Sequence, residues 1–323
     1  MKLRDKLILA GVALAILLLV LTYIMRAPLK TTDLSIWQWD SVAELSLADM
    51  DAMVQKLHDE HVRTIFVRID DYVDIVEKSN PETPEAFKSG LRNFIAKAHD
   101  KNIQVDALGG GIEWARDSHE YIPPMLIDFV SAFNKENPDA KFDGLQFDVE
   151  PYSLPDYKGQ ESTLLQEYWN FVEKSIEKAK EDGGIRLGFT MPPWYDGSRG
   201  DPVTVLSGGK EKPLAFAVLD ALHEYGNGYV VLMSYRTKAD GTNGTIAISE
   251  KVLSYADSHA AGVSVWIGQE MGKVDEAGVS FYASNRAGFS NEVKKIDDAL
   301  KRYQSFAGIS IDDYNSYSVF LTK

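Results

Sequence analysis

The 323-residue chain has no cysteine. That excludes disulfide bridges, thiolate metal sites, a cysteine nucleophile and a lipidated N-terminal cysteine. Positive charge is scarce as well: 34 Lys and Arg stand against 48 Asp and Glu, for a net charge of −14. The first 26 residues carry a net +3, so the remainder is near −17. This balance argues against a nucleic-acid partner, because phosphate binding needs clustered Lys and Arg. It also disfavours a strongly anionic substrate, except where a local basic site exists. Histidine is rare: His58, His61, His99, His223 and His259 lie on helical stretches without metal spacing, and His119 falls in a loop. No Gly-rich phosphate loop follows the first strand. "GGGIEWARD" follows the third strand instead, and no Lys-Ser/Thr comes after it. No cofactor and no metal are expected, and there is no low-complexity linker.

Long apolar runs are limited to one. Residues 7–25, "LILAGVALAILLLVLTYIM", are uncharged. About 20 apolar residues suffice to span a bilayer core. Lys2, Arg4 and Lys6 precede the run, and positive residues prefer the cytoplasmic side. No small-x-small cleavage site follows. The pattern predicts an N-terminal signal anchor, or transmembrane segment, within 1–30, with a cleaved signal peptide as the other reading of the run. Residues 31–323 then form one domain on the extracytoplasmic side of the cell membrane, held there by a single pass.

Beyond residue 33, apolar runs alternate with amphipathic stretches. Strands are expected at 34–39, 64–69, 103–108, 143–150, 185–191, 229–235, 263–268 and 307–312. Helical patterns lie between them. One opens with a capping pair, Ser46 and Asp49, and another closes on Gly183-Gly184. Eight such units predict an α/β fold of the (β/α)8, or TIM-barrel, type. A doubly wound open sheet is the other arrangement this alternation allows.

In a barrel of this kind, sites form where strands end at the C-terminal face. Those ends are polar or aromatic here: Trp39-Asp40, Asp70-Asp71, Gly109-Gly110-Gly111, Asp148 and Glu150, Trp194-Tyr195-Asp196, Tyr235-Arg236, Gln269-Glu270 and Asp312-Asp313. Carboxylates beside aromatic platforms suit a carbohydrate, whose rings stack on Trp and Tyr while acids handle the glycosidic oxygen. In "FDGLQFDVEPY", alternation turns Leu145, Phe147 and Val149 to one face. Gly144, Gln146, Asp148 and Glu150 then face the barrel axis. Two acids roughly 7 Å apart on one strand face raise each other's pKa, which yields the protonated acid a glycosidic leaving group requires. An ion-paired structural cluster is the competing reading, since Arg68 and Asp70 also share a face.

"DGLQFDVE" resembles the DGxDxDxE signature of glycoside hydrolase family 18, the chitinase-like barrels. "ALGGG" (107–111) resembles that family's SxGG motif, and "LMSYR" (232–236) its MxYD motif. The resemblance covers the barrel. It implies that Glu150 is the general acid/base, that Asp148 orients an acetamido group and that Tyr235 hydrogen-bonds that group. It further implies that the substrate's own N-acetyl carbonyl acts as nucleophile. The chain departs from the pattern at Gln146 and Arg236, where the family has acids, and at Ala107, where it has Ser. "EPY" stands for "EYP", and the strand-eight Trp is absent. A second resemblance is to retaining barrel glycosidases that carry an acid/base before Pro on strand four and a nucleophilic Glu on strand seven; here these would be Glu150 and Glu270. A sugar-binding barrel without catalysis is the third reading. The expected surroundings of Glu150, Asp148 and Tyr235 are Trp39, Asp40, Asp70, Gln146, Trp194, Tyr195, Arg236, Glu270 and Asp312. The expected partner is an oligo- or polysaccharide, with the membrane engaged through the N-terminal helix.

Overall fold

The computed structural model describes residues 32–77, 83–200 and 203–323. Eight parallel strands close into a barrel: β1 (Leu34–Gln38), β2 (Val62–Arg68), β3 (Gln104–Gly109), β4 (Gly144–Phe147), β5 (Arg186–Met191), β6 (Gly228–Leu232), β7 (Ser264–Glu270) and β8 (Phe306–Asp312). They neighbour one another in chain order, and β8 pairs back onto β1 through Leu34–Ile309, Ser35–Ser310 and Ile36–Ile311. The open-sheet arrangement is therefore ruled out. Closure satisfies every strand edge, which an open parallel sheet cannot do.

Alternation along the strands explains the two faces. Ile36, Ile65, Val67, Leu145, Phe147, Leu187 and Phe189 are fully buried in the layer shared with the helices. Phe147 meets Phe171 of the helix Glu161–Glu181 edge-on at 5.1 Å and lies 5.9 Å from Phe189. Inside the barrel a separate cluster forms from Trp37, Phe66, Leu108, Tyr229 and Val231. Beneath it Arg186 reaches both oxygens of Asp106, at 2.7 and 2.9 Å, and the Tyr229 hydroxyl donates to Asp106 at 2.7 Å. Buried charges survive only when paired and hydrogen-bonded in this way. Gly188 makes room for this cluster: a Cβ there would stand 2.2 Å from the Tyr229 ring.

Several expectations about elements need correction. β4 stops at Phe147, short of the expected 150, and β6 stops at Leu232, short of 235. A helix at Asp71–Glu77 and a hairpin of Thr204–Ser207 with Lys210–Pro213 were not foreseen.

The expected single-pass placement in the cell membrane is also corrected. Among the described residues no helix is long and apolar enough to cross a membrane. Residues 7–25, on which that expectation and the membrane contact rested, lie outside the described residues.

Candidate active site

The C-terminal barrel mouth holds a cavity of about 350 Å³ lined by Trp39, Gly110, Gly111, Ile112, Asp148, Glu150, Met233, Tyr235, Glu270 and Asp312. The carboxyls enter it from three strand ends, β4, β7 and β8. Their placement follows from the chain's path. After Phe147 the Asp148 N–H still donates to the Gly109 carbonyl at 2.9 Å, which holds the chain against β3 for one more residue. Pro151 then starts a short 3-10 turn (Pro151–Ser153) that carries Glu150 over the rim. This close approach needs glycine at 110, because a Cβ there would lie 2.7 Å from the Asp148 carbonyl oxygen.

Asp148 is half-buried, and its Oδ1 is buried with no hydrogen-bond partner. The Thr190 hydroxyl bonds to its carboxyl and in turn accepts from Gln146 Nε2 at 2.9 Å. Burial first, then the charges of Glu150, Asp312 and Asp70, push the Asp148 pKa well above the usual carboxylate range. Glu150 accepts from the Tyr152 hydroxyl and, at 3.4 Å, from the Ser153 hydroxyl. Burial raises its pKa and those two hydrogen bonds oppose the rise. Both acids are thus biased towards their protonated forms.

Across the cavity Asp312 accepts from Trp39 Nε1 at 3.2 Å and from the Tyr235 hydroxyl at 3.3 Å. Burial, followed by the charge of Glu270, raises its pKa to about 7. Glu270 accepts from the Gly272 N–H at 2.5 Å and shares a hydrogen bond with Asp312; burial raises its pKa too. Tyr235 can pack against β7 because position 268 is glycine: a Cβ there would be 2.8 Å from its ring.

The remaining expected residues divide into three groups. Trp39 lines the cavity with those above. Asp70 sits behind the wall, accepting from the Gly110 N–H at 3.0 Å and from Arg68 Nε at 3.4 Å; its pKa is raised by burial to about 6. Gln146 is fully buried below the floor, its amide given to Thr190. Asp40, Trp194, Tyr195 and Arg236 do not line the cavity. Asp40 is exposed and accepts from Asn315 Nδ2 at 2.7 Å. Tyr195 is a core residue, 1% exposed. Trp194 packs edge-on against Tyr152, ring centroids 5.4 Å apart. Arg236 donates to the Tyr235 carbonyl at 2.6 Å and to Asn243 at 3.3 Å.

Sequence reasoning missed Tyr152, Met233 and Ile112. Tyr152 carried a signal, since it continues the 148, 150 alternation by one step. Among the described residues no group of three or more His, Asp or Glu is arranged to hold a metal ion.

No family model and no curated protein matches the chain. Solved structures do. The barrel is similar to a glycoside hydrolase family 5 enzyme from Prevotella bryantii, with TM-score 0.54 and 11% identity over 87% of this chain and 88% of that one. It is similar to the catalytic domain of a β-amylase from Paenibacillus polymyxa, with TM-score 0.52 and 9% identity over 88% and 92%. A family 18 chitinase from Pseudoalteromonas aurantia gives TM-score 0.50 and 14% identity over 88% and 95%. The expected likeness to chitinase-like barrels is met at the level of the fold. At such identities the likeness establishes the (β/α)8 barrel and nothing finer.

Proposed function

We propose that the protein is a glycoside hydrolase acting on an oligo- or polysaccharide, with Glu150 as general acid/base. One observation carries this reading: the Glu150 carboxyl stands at the rim of the cavity beside Asp148, with burial raising both pKa values. A protonated Glu150 donates to the glycosidic oxygen as the C1–O bond breaks. Asp148 and the Tyr235 hydroxyl hold an acetamido group whose carbonyl oxygen closes onto C1. Water, deprotonated by the Glu150 carboxylate, then opens that ring and restores the acid. Retention of configuration follows.

The electrostatic pairings favour this scheme over a direct Glu270 nucleophile. The largest charge acting on Asp148 is that of Glu150, whereas Glu270 is bound up with Asp312, Asp313 and the Gly272 N–H. Glu270 is thus engaged by neighbours of its own. Gln146 and Arg236, which stand where the resembling family has acids, favour a sugar-binding barrel without catalysis, whereas the Glu150 carboxyl at the cavity favours the enzyme. The test is turnover of chitooligosaccharides, peptidoglycan and exopolysaccharides by the wild-type chain and by Glu150→Gln. Hydrolysis of at least one glycan that Glu150→Gln abolishes supports the assignment. Equal turnover by both proteins ends it.

A further inference from the structure

Among the described residues the arginines divide into two kinds. Arg63, Arg68, Arg116, Arg186, Arg286 and Arg302 each lie against a carboxylate. With 48 acids for 34 cations, such pairing is the expected outcome. Arg92, Arg199 and Arg236 form no ion pair among the described residues; Arg92 gives its Nε to the Asn137 side-chain oxygen at 2.5 Å, which leaves Arg199 and Arg236. Arg199 is exposed, and its guanidinium rests 4.8 Å from the Trp194 ring centroid. Arg236 is half-buried and spends two of its nitrogens on the Tyr235 carbonyl and Asn243, while its Nε is buried with no partner. The two charges are close enough that Arg199, after burial, lowers the Arg236 pKa; Glu276 on the following loop offsets part of that. A repelling pair of cations beside an unfilled donor is unfavourable without an anion.

The pair also sits beside the candidate active site. Arg236 follows Tyr235, which lines the cavity. Trp194, under Arg199, packs on Tyr152, whose hydroxyl bonds to Glu150. A guanidinium stacked on an indole keeps its N–H edge free to fork onto a planar anion. We propose that Arg199, Arg236 and Trp194 form a subsite for the carboxylate of an acidic sugar, in the ring next to the one held at Glu150. This rests on the glycan-processing reading above and narrows it to a polymer that carries carboxylates. It is the local basic site that the acidic body otherwise withholds from an anionic substrate.

The experiment is calorimetric binding to the full chain carrying Glu150→Gln, so that ligand is not consumed. Three probes are compared: chitotetraose, which is neutral; a hyaluronan tetrasaccharide, with C6 carboxylates; and an N-acetylglucosamine–N-acetylmuramic acid tetrasaccharide, with lactyl carboxylates. One acidic probe should bind about 10-fold more tightly than chitotetraose at low salt, and the gap should shrink as NaCl rises. Whichever acidic probe binds identifies the source of the carboxylate. Adding Arg199→Gln or Arg236→Gln should close the gap, while Arg236→Lys should keep part of it. Arg199 is exposed, so its variant stays decisive if Arg236→Gln fails to fold. Equal affinity for acidic and neutral probes overturns the subsite. So does a gap that survives both Gln variants, or no binding of either acidic probe. The two readings fail separately. An Arg-dependent acidic preference in a wild-type protein that cleaves nothing retires hydrolysis and keeps the subsite, and cleavage of neutral chitooligosaccharides without that preference does the reverse.

Discussion

The Tyr152 hydroxyl donates a hydrogen bond to Glu150, which favours the carboxylate form. Removing it in Tyr152→Phe should raise the Glu150 pKa further. The basic limb of the kcat/KM profile reports loss of the acid's proton, so it should move to higher pH. A basic limb that stays fixed or moves down would show that Tyr152 does not tune the acid. Asp312 makes a second prediction, with the sign worked out. Its folded pKa is raised from 3.8 to about 7. The folded state therefore keeps a proton that the unfolded chain has already released over this range, and stability falls as pH climbs through it. The contribution is whole below about pH 4 and gone above about pH 7. Asp312→Asn keeps the shape and removes the charge that burial opposes. Its melting temperature should exceed that of wild type by a few degrees at pH 8, and the gain should shrink at pH 5. Thermal melts at the two pH values check this, and a gain that is larger at pH 5 contradicts it.

At the scale of elements, the helix Leu47–Asp59 shows a signal that could be read in advance. Ser46 Oγ accepts from the Asp49 N–H at 3.2 Å and donates to the Asp49 carboxylate at 2.6 Å. Ser46→Ala should cost about 1 kcal/mol, measured by urea titration. Phe147→Ala, which empties a site between Phe171 and Phe189, should cost roughly 3–5 kcal/mol. Comparable losses for the two would mean that the β4–helix layer is loosely packed. The strands were legible because their outer faces are apolar at every second residue. Their ends were less so. Alternation runs on unbroken from Phe147 to Glu150, while the contact with β3 ends one bond past Phe147, at the Asp148 N–H to Gly109, and Pro151 opens a turn. Pro151 was the available warning, since it has no N–H to give a neighbouring strand. The hairpin had a signal too: Gly208 and Gly209, with φ of 54° and 75°, are the two-residue turn its strands require.

For the whole molecule, motif spacing brought Asp148, Glu150 and Tyr235 to one cavity because each lies within three residues of the end of a barrel strand, and strand ends converge by geometry. Other residues beyond the strand ends scattered. Asp40 turned to solvent and Tyr195 into the core, since loop paths depend on contacts that no local pattern encodes. Gln146 faces inward as alternation requires, yet it sits one layer too deep to touch a ligand and acts on Asp148 only through Thr190. The proposed function requires that a protonated Glu150 carboxyl drive glycosidic cleavage in this barrel. It is tested most directly by turnover of the glycan panel with wild type and Glu150→Gln, each checked for an unchanged circular dichroism spectrum. A loss of roughly 10²–10⁴ in kcat for Glu150→Gln, with folding intact, is the predicted result. Wild-type turnover by Glu150→Gln would contradict it.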